Sequence, residues 1–222
     1  MKYKLALVLL LVGLLTAGSI SFMGGRFYPN TSSDIWDVNF QNLILNQENF
    51  QSNLGYLEWE WGRRNTTFFA GASLSGRKVI YTEYRDYVWS DGTPIQQTVY
   101  FKDAPTYLGI RFYPIPVYRR GVLPFVGAGI AFVSWEWSQT GDFIDFSDPY
   151  LPIYYGEFYR RDSSLGLFIN AGVVAKMSRN MGFRIMGFYT WAHGNLEPTF
   201  LGFEPIDLSG FTVLAGISVF MR

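Results

Sequence analysis

The chain has 222 residues, with 18 basic and 18 acidic side chains for a formal net charge of zero, one histidine and no cysteine. That balance leaves no cationic footprint for nucleic acid, and the absence of thiols excludes a disulfide framework, a thiolate metal site and a cysteine nucleophile. The unusual quantity is the aromatic share, 19%, made of 7 Trp, 15 Tyr and 20 Phe, a surplus that aromatic girdles at a membrane interface would use.

The first element in the chain is MKYKLALVLLLVGLLTAGSISF, where Lys2 and Lys4 precede an apolar run from Leu5 to Leu15 and small residues at Ala17, Gly18, Ser19 and Ser21. This is the build of a secretory signal peptide cleaved after Ser19 or Ser21, so residues 1–21 are assigned as signal and 22–222 as one barrel domain. The run is short for the roughly 30 Å of hydrocarbon that an anchor helix must cross. Beyond it no stretch approaches about 18 consecutive apolar residues, so entry into a membrane would have to use strands. Closed barrels are the strand structures that satisfy every backbone group in lipid.

Eight segments of alternating polarity follow, at 20–28, 52–61, 66–89, 97–113, 123–137, 157–177, 182–192 and 208–221. Successive strand side chains face opposite sides. In the sixth segment Leu165, Leu167, Ile169, Ala171 and Val173 oppose Ser164, Gly166, Asn170 and Gly172; in the eighth Phe211, Val213, Ala215 and Ile217 oppose Thr212, Gly216 and Ser218. One face suits lipid and the other is small or polar, whereas a soluble sandwich or lipocalin-like barrel, the competing architecture, would fill its inner face with large apolar residues. The connections at 62–65, 114–121 and 178–181 are short, and those at 29–51, 90–96, 138–156 and 193–207 are long and polar. Short periplasmic turns with long extracellular loops are the pattern of outer-membrane barrels. The predicted fold is therefore all-β: an eight-stranded antiparallel up-and-down transmembrane β-barrel. The first long loop has room for one short helix near Ser33 to Phe40, capped by Ser33 or Asp34, with irregular loop as the alternative.

The same parity places Arg26, Glu58, Glu60, Arg77, Arg111, Lys176 and Arg184 on the inward face. An eight-stranded barrel is just wide enough for side chains to fill, so these charges must meet. The expectation is a network centred on Glu58 and Glu60 with Arg26, Arg111 and Arg184 as forks, acting as a polar plug; a narrow ion path is the alternative. In NLGYLEWEWG the tryptophans face lipid, and Trp59, Trp61, Phe183, Tyr189 and Trp191 form the aromatic girdle. Trp135 and Trp137 in VSWEWSQ share parity with the inward Gly127 and Gly129, so either a bulge intervenes or the pair lies above the membrane.

Glu58 and Glu60 stand about 7 Å apart along the strand, a spacing that suits glycoside hydrolysis, but so small a lumen cannot admit a sugar. His193, in TWAHGNLEP, would serve a lipid-side hydrolase only with a serine and a carboxylate in reach. Asn195 stands where lipid A deacylases of this shape place a serine; Glu197, Glu204 and Ser209 are the nearest candidates. An interfacial histidine beside Trp191 is the simpler reading, and no catalytic residue is assigned. Asp142, Asp145 and Asp148 lack the spacing of a calcium loop, so no metal or cofactor is assigned. Tyr81, Tyr84, Tyr87, Trp89, Tyr154 and Tyr155 make the hairpins at 77–100 and 133–160 candidates for surface binding.

The layout, with LGIRFYPIP and PFVGAGIAF flanking the second short turn and DLSGFTVLAGISVF closing the chain, resembles the small outer-membrane barrels of the OmpA transmembrane-domain and OmpX type. The resemblance implies the outer membrane of a Gram-negative-type bacterium, surroundings of outer-membrane lipid and lipopolysaccharide, and insertion by the outer-membrane assembly machinery. It also implies an envelope-structural or surface-binding task with an extracellular protein or surface ligand as partner. Members usually end on an aromatic residue, whereas this chain ends Phe220, Met221, Arg222, and no peptidoglycan-binding domain is expected after it. The function expected is non-enzymatic, with a lipid A-modifying enzyme using His193 or a narrow solute channel as alternatives.

Overall fold

The structure, a computed structural model, describes residues 18–75, 78–116 and 121–221; the apolar leader and Arg77 lie outside them. In chain order the elements are β1 (Gly18–Pro29), α1 (Asp34–Asn42), a 3-10 turn (Gln47–Phe50), β2 (Ser52–Arg63), β3 (Thr66–Ser75) and β4 (Lys78–Val88). Then come β5 (Pro94–Phe112), β6 (Gly121–Ile144), β7 (Ile153–Lys176), β8 (Met181–Trp191), a short ribbon of β9 (His193–Gly194) and β10 (Ile206–Asp207), and β11 (Gly210–Phe220).

The sheet runs β3-β2-β1-β11-β8-β7-β6-β5-β4, and an additional β3–β5 pairing closes it. Every pairing is antiparallel. β4 is not a ninth wall. Ala72 of β3 faces Thr106 of β5, and pairing resumes with Lys78 of β4 facing Phe101, so β3 and β4 follow one another along the same edge of β5. The predicted third segment is thus one long wall, and the ring has the eight strands expected of it.

The walls end higher than the sequence reading placed them. β6 and β7 pair without interruption up to Ile144 opposite Ile153, into the span 138–156 taken above as loop. The sequence alternation fades there because the inward Gln139 is as polar as its outward neighbours Ser138 and Thr140, while the backbone ladder continues. β4 to β7 form a four-stranded extension beyond the shorter walls.

Outside, Phe22, Leu57, Ile110, Phe132, Leu167 and Ile185 are all exposed and form part of a continuous belt. Soluble monomers rarely expose so large an apolar surface, and such a belt is the kind that surrounding hydrocarbon would favour. At the short-turn end Trp59 and Trp61 stack with ring centroids 4.4 Å apart, and at the long-loop end Tyr189 meets Trp191 at 4.7 Å. Phe183 is exposed near the start of β8.

The first long loop folds inward over the barrel mouth. α1 forms where expected and buries Ile35, Trp36 and Asn39. Its capping differs from expectation: Ser33 occupies the N-cap position without a capping bond, and its hydroxyl instead accepts the backbone N–H of Asp207 at 3.1 Å. Asp34 likewise accepts from the Glu204 N–H at 3.0 Å. Both side chains fasten the first loop to the last. Trp36 is fully buried and meets Phe50, Trp137 and Phe101 edge-on at 4.7, 4.9 and 5.4 Å. This settles the placement of VSWEWSQ: the β5–β6 register is continuous from Gln97 opposite Gly141 to Phe112 opposite Val126. No bulge intervenes, and Trp135 and Trp137 point inward above the belt.

Candidate functional site: a charged plug beneath an aromatic cap

Glu58 and Glu60 lie on the inward face of β2. Across β3, Thr67 stands opposite Arg111 of β5; on the other side Ser21 of β1 stands opposite Glu58, and β11 separates β1 from β8 and its Arg184. The intervening walls contribute Ser19, Ser21, Gly71, Gly216 and Ser218, and the small volume of these residues leaves the section open for long arginine chains to reach across. Gly71 is held to hydrogen at Cα by proximity alone, because a Cβ there would collide with the Tyr56 hydroxyl.

Arg111 grips Glu58 through Nη1–Oε1 at 2.5 Å and Nη2–Oε2 at 2.7 Å, and its Nη1 reaches Glu60 Oε2 at 3.1 Å. Arg184 donates Nη1 to Glu58 Oε1 and Nη2 to Glu60 Oε2, the latter at 2.6 Å. Thr67 Oγ1 and Tyr113 Oη donate to Glu60 Oε1 at 2.5 and 2.6 Å, and Tyr56 Oη donates to Glu58 Oε2 at 3.1 Å. Each of the four carboxylate oxygens therefore accepts two donors. The side chains of Arg111, Arg184 and Glu58 are at most 1% exposed and that of Glu60 is 5%. The Arg111 guanidinium also lies over the Phe69 ring at 3.9 Å and the Phe125 ring at 4.7 Å, a cation–π arrangement that strengthens when water is excluded. Two arginines and two glutamates leave the cluster with no formal charge.

Arg26 does not join them. It is exposed on the outward face, 5.7 Å over the Tyr28 ring, which corrects the inward assignment. It shares parity with Phe22 and Tyr28, and at the upper end of β1 a long arginine can lay its stem on apolar surface with its head in water. Lys176 stands at the short-turn rim, its ammonium 4.4 Å over Phe220. Tyr56, Thr67 and Tyr113 are uncharged members of the cluster beyond the predicted network; Tyr56 and Thr67 carry the same inward parity as Glu58 and Gly71, which is the signal that marks them.

Above the charges the lumen is filled by rings. Tyr107 stacks on Phe188 at 4.6 Å, and Phe168 meets Tyr107 at 5.0 Å and Phe188 at 5.4 Å. The Trp36 cluster covers this layer. An amide layer lies higher still: Gln139 Nε2 donates to Asn39 Oδ1 at 2.8 Å and to Gln97 Oε1 at 2.7 Å, and Gln97 Nε2 donates to Tyr84 Oη at 3.0 Å. Tyr84 is consequently buried, 7% exposed, which corrects its assignment to the surface; burial raises its hydroxyl pKa above the ordinary value. Tyr87 packs against Tyr84 and Phe146, and Tyr154 stacks with Phe143. Trp89 stays partly exposed beside the β4–β5 tip, and Tyr81 and Tyr155 are open to solvent.

His193 and Asp207 are paired positions of the β9–β10 ribbon, yet they form no catalytic array. His193 is exposed while Asp207 and Ser209 are buried. The Asp207 carboxylate accepts from Asn30 Nδ2 at 2.7 Å, Ser32 Oγ at 2.5 Å and the Ser209 N–H at 2.8 Å, and the Ser209 hydroxyl is engaged by the Ala192 backbone. Asp207 is a clasp between the first and last loops. Among the described residues no three His, Cys, Asp or Glu side chains are grouped to hold a metal ion.

The fold is similar to that of the outer membrane protein OprG from Pseudomonas aeruginosa, with a TM-score of 0.55 at 13% identity over 93% of this chain and 97% of that one. Neisserial surface protein A also matches, with a TM-score of 0.45 at 12% identity over 92% and 97% of the two chains. So does the N-terminal β-barrel domain of Pseudomonas aeruginosa OprF, with 0.42 at 11% over 92% and 99%. No protein-family model and no curated protein matches the sequence. The likeness to OprG establishes a shared barrel fold.

Proposed function

We propose that the chain is a non-enzymatic outer-membrane barrel of a Gram-negative-type bacterium, sealed along its axis, that anchors a rigid surface platform built by β4 to β7 and the first loop. The observation that carries this reading is the complete satisfaction of the four carboxylate oxygens of Glu58 and Glu60 at almost no exposure. An ion path would need those oxygens free for water and permeant ions. Here every one is spent on the walls, and removing a single partner from so buried a cluster strands a charge. The apolar belt supports residence in lipid, with lipopolysaccharide and the outer-membrane assembly machinery as the surroundings such a barrel requires.

The test is conductance. The purified protein reconstituted in planar bilayers should show no steady current above that of the empty bilayer, whereas regular openings that grow in Glu58→Ala would establish a channel instead. Incubation with lipopolysaccharide should release no fatty acid; release abolished by His193→Ala would establish an enzyme.

A further inference from the structure

The four-stranded extension carries a groove of about 430 Å³, away from the plug, that borders the cap only at Ile44 of the first loop and Gln97 of the amide layer. Its lining includes Tyr81 and Glu83 of β4, Gln96 and Thr98 of β5, Thr140 of β6 and Tyr155 of β7. These six share the outward face, the continuation of the surface that carries the aliphatic belt lower down. Its volume is in the range of small-ligand sites. Tyr81 is 83% exposed and Tyr155 72%; they stand on strands three spacings apart, roughly 14 Å at about 4.8 Å per spacing. Between them lie a carboxylate, a primary amide and two hydroxyls. Flat amphipathic rings flanking a floor of hydroxyl, amide and carboxylate groups suit a ligand with apolar C–H faces and many hydroxyls. That is a saccharide.

The position of the groove argues for one source. Along β5 and β6 the belt ends near Thr106 opposite Phe132, the row Lys102–Glu136–Arg161 lies four residues higher, and Thr98 opposite Thr140 lies eight residues higher. At about 3.4 Å per residue and a tilt near 40°, these rows stand roughly 10 and 20 Å above the hydrocarbon edge. Ascending the outward wall, the chemistry is aliphatic, then net cationic, then tyrosine with hydroxyl, amide and carboxylate groups. A glycolipid presents its complements in the same order: acyl chains, phosphates, sugars. The groove opens sideways, toward whatever stands beside the barrel.

We infer that the groove between Tyr81 and Tyr155 binds the saccharide portion of an outer-leaflet glycolipid standing next to the barrel, with Lys102 and Arg161 placed at the level of its phosphates. The inference rests on the outer-membrane reading above and names the ligand class of its surface platform.

The experiment uses the full mature chain in detergent micelles and two probes, delipidated core oligosaccharide from lipopolysaccharide and maltotriose, each titrated by calorimetry. Core oligosaccharide should bind saturably, and Tyr81→Ala/Tyr155→Ala should weaken it at least about tenfold, the scale of losing an aromatic anchor. Circular dichroism and heat-modifiable gel mobility should be unchanged, since both rings point away from the barrel. Because that variant removes bulk, Glu83→Gln provides an isosteric second test and should also weaken binding. Absence of saturable core binding, binding of maltotriose in its place, or core binding that the double variant retains would each overturn the inference. None of these results bears on the seal, which conductance measures separately; a protein that binds the oligosaccharide and also conducts would sink the sealed reading alone.

Discussion

At the scale of single residues, the plug separates two kinds of partner that a contact list would treat alike. Among the described residues Arg111 alone supplies both oxygens of Glu58 and also reaches Glu60. Arg111→Met leaves two carboxylates facing one arginine in a space without water, and such uncompensated charge costs about 3–5 kcal/mol. Tyr113→Phe removes one of two donors to Glu60 Oε1 while Thr67 keeps the other, so it should cost about 1–2 kcal/mol, the scale of one buried hydrogen bond. Equilibrium unfolding in lipid vesicles should rank the two in that order; equal losses would mean the network does not act as a unit. In Arg111→Met/Glu58→Gln the second change removes the stranded charge, so the pair should lose less than the sum of the single variants. Much of this cluster was legible in the sequence, because Glu58, Glu60, Arg111 and Arg184 obey the period of a strand and eight walls leave charges no room to avoid one another. Arg26 was misread for a reason equally physical: parity is relative, and a positive charge at the end of a strand is as stable outward at the interface as inward beside a carboxylate.

Among the elements, the first loop behaves as a separate domain of packing built on one side chain. Trp36 is surrounded by Phe50, Phe101 and Trp137, and truncating a buried tryptophan costs about 3–5 kcal/mol. Since α1 is only nine residues long, too short to persist without tertiary support, Trp36→Ala should release residues 33–50 as a unit. Backbone amides of that segment should then exchange rapidly while those of β2 and β11 within the belt stay protected. Protection lost equally across both would show that cap and barrel are one cooperative unit. The hairpin tip between β4 and β5 offers a pH-dependent counterpart. The Thr93 hydroxyl and backbone N–H bond Asp91 and hold its carboxyl below the ordinary value of 3.8. A depressed folded value means the turn is fully supported above the ordinary carboxylate pKa and loses that support as pH falls through the folded one. The amide resonances of Gly92 and Thr93 should therefore move together below about pH 4, and in Asp91→Asn they should not. A helix near Ser33 was foreseeable from its loop, but its partners were not: Trp36 meets Trp137 across a hundred residues of chain, and no local pattern encodes that meeting. The upper half of β6 was not legible because its inward Gln139, buried by bonds to Asn39 and Gln97, is as polar as the outward Ser138, Thr140 and Asp142, so hydropathy stops alternating while the ladder continues.

For the whole molecule, the stacking of three different fillings along one axis decides what a perturbation can do. Near the short turns the lumen holds hydrogen-bonded charge; in the middle it holds the Tyr107, Phe168 and Phe188 rings; at the mouth it holds the Trp36 cluster and the amides above it. β5 supplies a member to each layer, Arg111, Tyr107 and Phe101, but each layer is completed by side chains from other elements, so a defect in one leaves the contacts of the next in place. An apolar constriction between two polar sections is itself a barrier to ions, because it offers nothing to replace their hydration. Glu58→Ala should consequently destabilise the barrel without giving steady current, and Trp36→Ala should free the cap with the same silence. Glu58→Ala/Trp36→Ala should also stay silent while the ring layer stands, and only further truncation at Phe168 and Phe188 should bring steady openings. Bilayer recordings on that series discriminate between architectures. Current in Glu58→Ala alone would mean that the charges are a gate across an otherwise open lumen, and the rings could not then be the filled section their contacts describe.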